Sequence, residues 1–128
     1  MKAREVTLRA KRFEADEHTR KVSNLESMIR DFQVMAADLD RQIQAEEDRT
    51  GVKDSAHFAY STFAKSAAQR RNNLRASAAE LTVKLEAALK ARNEAVEQLA
   101  QVTATEPREA QRTGRRRPDR SSPSAPMR

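Results

Sequence analysis

The side chains with chemical reach in this sequence are two histidines, His18 and His57, and two runs of carboxylates, Glu14-Ala15-Asp16-Glu17 and Asp38-Leu39-Asp40. Imidazoles and carboxylates together could hold a metal ion or exchange protons. The spacing argues against both. His18 and His57 fall toward opposite ends of one helical arm, too few and too far apart for a coordination shell, and the carboxylates fall on solvent-facing helical positions, where they serve solvation and pairing across one turn. Glu26 with Arg30 and Glu86 with Lys90 have the favourable acid-then-base order for that pairing. The chain has no cysteine, so it has no thiol nucleophile, thiolate ligand or disulfide, and a reducing compartment suits it. No glycine-rich phosphate loop is present. The expectation is a protein that is not an enzyme and carries neither cofactor nor metal.

Two other groups could recognise partners. Phe58, Tyr60 and Phe63 are three of the five aromatic residues, and aromatics are enriched where interfaces are tightest. They could form a docking patch or plug the open end of a helical pair; Tyr60 lies on the apolar seam described below, Phe58 and Phe63 off it. The second group is basic. Net charge is +6, and residues 106–128 hold seven Arg against Glu106, Glu109 and Asp119, a net +4. Such a tail could neutralise phosphates or rest on an anionic surface. The basic region of a leucine-zipper transcription factor is a continuous helix that precedes its zipper; this tail follows the heptads and contains Pro107, Gly114 and Pro118, so specific nucleic-acid readout is not expected.

The elements that must position these groups are legible in the periodicity. Of 128 residues, 38% are hydrophobic and 34% charged, too apolar-poor for a large globular core, and glycine occurs twice, a composition of long helices. Val22, Leu25, Ile29, Phe32, Ala36, Leu39 and Ile43 follow one another in alternating threes and fours, a heptad seam. The seam extends backward through His18, Ala15, Lys11 and Leu8, where His18 is a polar residue able to specify register. Val6, Ala10 and Phe13 form an offset stripe that would loosen or shift the first turns. A second seam runs Ala64, Ala67, Arg71, Leu74, Ala78, Leu81, Leu85, Ala88, Arg92, Ala95, Leu99, Val102, with Leu89 and Val96 widening it. Its alanines lie opposite larger residues of the first arm.

Between the arms the spacing lapses at Glu46 to Ser55. Gly51 can take the left-handed conformation that ends a helix, and Asp54 or Ser55 can cap the next. The predicted fold is therefore all-α: residues 1–105 form a long antiparallel two-helix coiled-coil hairpin, with a helix about 3–48, a loop about 49–54 and a helix about 55–103. Each arm would reach roughly 70 Å. The rival is a parallel homodimer of continuous helices, disfavoured by Gly51. Residues 106–128, rich in Arg, Pro and Ser, are expected to be disordered. The longest uncharged stretch, Ser55 to Ala64, is ten residues, short of the ~20 that span a bilayer. The first residues lack the apolar run of a secretory signal. A soluble, cytoplasmic protein is expected.

Several strings, taken in order, carry a family resemblance: Lys11-Arg12-Phe13-Glu14-Ala15-Asp16-Glu17, Ile29-Arg30-Asp31-Phe32, Met35 through Ile43, His57-Phe58-Ala59-Tyr60, and Gln69-Arg70-Arg71-Asn72-Asn73-Leu74. Over roughly residues 1–102 the chain resembles the FliJ family of flagellar export proteins in its alphaproteobacterial form. The resemblance implies an antiparallel coiled coil, similar to the stalk subunit of rotary ATPases, in the flagellar type III export apparatus. Its implied place is cytoplasmic, peripheral to the membrane at the flagellar base. The implied partners are the export ATPase and its regulator, the cytoplasmic domain of the membrane export gate, and other export chaperones.

By geometry, gate-facing contacts would then belong to the hairpin end, with Phe58, Tyr60 and Phe63 as candidates, and ring-facing contacts to residues 2–13 and 96–103. The chain departs from the family at Thr103, after which Pro, Gly and Arg replace a continuing charged helix. The alternative function is a generic coiled-coil adaptor or nucleic-acid-associated protein using the basic tail.

Overall fold

A computed structural model describes the backbone of residues 2–124 and the side chains of residues 2–104. The chain is all-α: two long helices packed against each other, α1 over Lys2–Thr50 and α2 over Thr62–Ser124, with no strand among the described residues. Ala, Leu, Glu, Lys and Arg dominate both helices and lose little side-chain freedom in a helix. α1 carries Glu5 in its first turn and Arg49 in its last, each the favourable sign for the helix dipole. It ends where expected. Gly51 has φ of 78°, and its N–H donates to the Glu47 carbonyl at 2.8 Å, closing the last turn.

The start of the second helix differs from expectation. α2 begins at Thr62, not near residue 55, and the connection spans 51–61, not 49–54. Asp54 does accept a backbone N–H, from Ala56 at 2.9 Å, but this builds a local turn instead of capping a helix. The His57 N–H reaches the Asp54 carbonyl and the Tyr60 N–H the His57 carbonyl, each at 3.0 Å. The helix cap is Ser61, whose Oγ accepts from the Ala64 N–H at 3.2 Å. The backbone of α2 is helical through Ser124. The expected disordered tail, 106–128, falls on residues whose side chains, and for 125–128 also the backbone, lie outside the described residues.

Contacts divide the chain into two units. One comprises Arg20–Leu89, the other Met1–Thr19 with Lys90–Arg128. In the first, Leu39 and Ile43 cluster with Ala64 and Ala67, joined by Tyr60, Ala68 and Leu74. Val22 and Leu25 cluster with Ala88, joined by Leu81, Leu85 and Leu89. Higher numbers on α1 meet lower numbers on α2, so the pairing is antiparallel within one chain. In the second unit Ala15 and Ala95 are buried, and Lys11 Nζ donates to Gln98 Oε1 at 2.9 Å. The chain reverses on itself, which is not the continuous helix that a parallel homodimer would require.

The seam residues are buried or half-buried along both arms, back to Leu8 and on to Val102. Among the described side chains of α2 the buried positions are all alanine, Ala64, Ala67, Ala78, Ala88 and Ala95. Their small side chains let Val22, Leu25, Ile29, Leu39 and Ile43 of α1 become buried while the leucines of α2 stay half-buried. Two expectations need correction. Val6 and Phe13 are each 62% exposed and Ala10 is exposed, so the offset stripe is outer surface and the seam does not shift. Val96 is also exposed, and only Leu89 widens the seam.

Candidate partner-binding site at the loop

The three aromatics singled out from the sequence are separated by the fold into different roles. Tyr60 is half-buried against the Leu39–Ile43 cluster, and its hydroxyl donates to Glu47 Oε2 at 2.6 Å. That bond favours the protonated phenol, and with burial it raises the Tyr60 pKa. Tyr60 is thus a strut that plugs the end of the seam. Phe58 is 96% exposed and Phe63 54% exposed. Phe58 stacks on the His57 ring, centroids 4.7 Å apart, while His57 Nδ1 accepts the Ala59 N–H at 3.0 Å. The imidazole is therefore part of the loop's scaffold, and the phenyl ring rides on it facing solvent.

A second strut lies beside the first. Ser61 Oγ donates to Glu46 Oε2 at 2.6 Å, and Glu46 also receives Nε and Nη2 of Arg49 at 3.0 and 2.9 Å. The Arg49 guanidinium, with the Ser61 hydroxyl, holds the Glu46 carboxyl down to about 2, and Glu46 in turn raises the Arg49 pKa. Thr50 Oγ1 accepts the Val52 N–H at 3.2 Å. Adjacent carboxylates at the end of α1 thereby grip adjacent hydroxyls at the start of α2. Sequence reasoning missed this grip. Its signal was present, an acidic pair four and five residues before Gly51 and a Tyr-Ser pair just ahead of an apolar periodic run.

The other polar cluster sits on the seam. Arg71 Nη1 donates to Asp40 Oδ1 at 2.8 Å, and Arg75 donates to the other oxygen. The Arg71 hydrogen bond, with help from Arg75, lowers the Asp40 pKa. An arginine at a seam position had marked this layer without revealing its counter-charge, since Asp40 lies on the other arm.

The remaining candidates stay apart. His18 is half-buried on the seam of the unit formed by the chain's two ends. In that unit Val6 and Phe13, one heptad apart, form an exposed apolar strip within the stretch expected to face a ring. No helix among the described residues is long and apolar enough to cross a membrane. Compared with known protein families, with curated proteins and with solved structures, the chain shows no match to any of the three.

Proposed function

We propose that this chain is a non-enzymatic component of a flagellar type III export apparatus, a coiled-coil stalk or escort that joins the export ATPase ring to the membrane export gate. The observation that carries this reading is Phe58, a large apolar ring left almost wholly in water on a loop fastened to both helices. Burying a phenyl ring in a partner is worth roughly 1.5–3 kcal/mol, and a preorganised loop loses little entropy on docking. The groups with shifted pKa values support the same reading. Asp40, Glu46 and Tyr60 are engaged in fastening helix to helix or loop to helix, and Arg49 braces Glu46 within α1, a structural use of charge. The resemblance in residues 1–102 supplies the export setting.

The proposed gate contact is narrowed to Phe58 and Phe63, with Tyr60 supporting them from within. Deleting the chain from a cell that makes it should abolish swimming and flagellar filaments, and residues 1–105 should restore both. Failure of the deletion to affect motility would refute the export role. Capture by the gate's cytoplasmic domain should fall on Phe58→Ala and Phe63→Ala; undiminished capture would remove the loop from the interface while leaving the export role standing.

A further inference from the structure

The two flanks of the seam in the Arg20–Leu89 unit are chemically opposite. On one flank every seventh residue of α1 reads Lys21, Met28, Met35, Gln42, Arg49, and every seventh of α2 reads Phe63, Arg70, Ser77, Lys84. Met35, Gln42, Arg70 and Ser77 line one groove together, which fixes these positions to the same side. On the other flank α1 reads Glu26, Gln33, Asp40, Glu47, and Asp40, Glu47 and Arg71 line a separate groove there.

The acidic flank is largely satisfied from within, Asp40 by Arg71 and Arg75 and Glu47 by Tyr60. The basic flank is not. Lys21, Arg70 and Lys84 are exposed and, among the described residues, reach no carboxylate. Along the same flank lie apolar side chains in water: Met28 is 45%, Met35 42% and Phe63 54% exposed. The groove, about 440 Å³, has Leu39 and Leu74 among its lining residues, with Arg70 at its rim. Asp38, which also lines it, is already paired with Arg41.

We infer that this basic flank is a docking surface for an acidic amphipathic helix of another protein. Apolar residues of the guest repeating every three or four positions would lie on Met28, Met35 and the Leu39–Leu74 floor, and its flanking Glu or Asp would meet Lys21, Arg70 and Lys84. Methionine suits such a surface, because an unbranched, polarizable side chain reshapes to different guests. A second copy of this chain is the poorer guest, since two of the three carboxylates on its acidic flank, Asp40 and Glu47, are already bonded within it. The surface does not use Phe58 and shares Phe63 with the proposed gate contact, but its test on Met35, Arg70 and Lys84 does not depend on the export role.

The test uses the full chain and two fluorescent helical peptides of equal length and identical leucine pattern, one flanked by glutamate and one by lysine. The glutamate peptide should bind, and the lysine peptide should bind at least tenfold more weakly. Arg70→Glu with Lys84→Glu, and separately Met35→Asp, should each weaken the glutamate peptide at least tenfold. Arg30→Glu with Lys65→Glu, on outer faces of α1 and α2, should leave it within twofold. Circular dichroism melts of every variant separate lost docking from lost folding, because all the altered side chains are exposed. Equal binding of the two peptides, no binding to the wild type, or equal loss on the outer-face reversals would overturn the proposal. So would sedimentation showing a dimer of this chain that Arg70→Glu with Lys84→Glu dissolves.

Discussion

The small-against-large seam makes a quantitative prediction at the layer where Ile43 meets Ala64 and Ala67. Ile43 is 7% and Ala67 5% exposed. Ile43→Ala removes three carbons' worth of apolar burial, roughly 0.8 kcal/mol each. The cavity term is small because Ile43 also borders an open groove that water can refill. The expected loss is therefore about 2–3 kcal/mol. Ala67→Leu alone overfills the same layer and should cost about 1–3 kcal/mol. Combined, the two changes exchange the large and small partners. The double variant should recover most of the loss, with a coupling energy of about 1–3 kcal/mol. Urea and thermal unfolding followed by circular dichroism, at fixed protein concentration, measure all four corners of the cycle. At about 4–8 °C per kcal/mol for a small domain, Ile43→Ala should lower Tm by roughly 10–20 °C. A loss under about 1 kcal/mol for Ile43→Ala, or strict additivity in the double variant, would show that these residues do not share a layer.

Other predictions concern the loop and the charges. Gly51→Ala meets nothing within 4 Å, so its cost, about 1–2 kcal/mol from the positive φ alone, should appear in a urea melt without change in helix content; a neutral substitution would argue against the left-handed cap. Tyr60→Phe removes a hydrogen bond to a carboxylate and should lower Tm. In the wild type, spectrophotometric titration should place Tyr60 ionisation above its ordinary 10.0, and Glu47→Gln should bring it down; an unmoved midpoint would exclude the Glu47 contact. The folded-state pKa of Glu46 is depressed, so its contribution is complete above its ordinary 4.5 and is lost as pH falls toward about 2. Asp40 acts in the same direction. Tm should decline through that window, and Glu46→Gln should flatten part of the decline; an unchanged slope would assign acid sensitivity elsewhere.

How much was readable beforehand depended on the range of the interaction. The seams were, because threes and fours of Val22 through Ile43 and of Ala64 through Val102 are local patterns that a helix converts directly into one face. So was the end of α1, since Gly51 alone supplies the φ that the cap requires. The start of α2 was misplaced because Asp54 and Ser61 are both acceptable caps by type. Ser61 is selected by its reach to Glu46, fifteen residues away, and no window along the sequence contains that choice. The seam already set Tyr60 apart from Phe58, but did not say what each ring would meet. One has a carboxylate across the loop and turns inward; the other has only its neighbouring imidazole and stays out. The basic flank is written every seventh residue in each arm and the acidic one in α1 alone, but only the pairing of arms reveals which carboxylates are already spent.

The doubly braced Asp40 has a mechanical consequence. An apolar heptad seam is nearly indifferent to sliding by one repeat, since alanine and leucine recur every seven residues and would meet similar neighbours again. The slide that sets Asp40 opposite Ala64 would bring Arg71 opposite Gln33 and part the two charges, whereas the opposite slide would offer Arg71 the carboxylate of Glu47 instead. The cluster therefore acts as a detent against creep between the helices in the first of these directions. A pull applied that way along one of them is carried into the other at that layer, and does not dissipate as slippage.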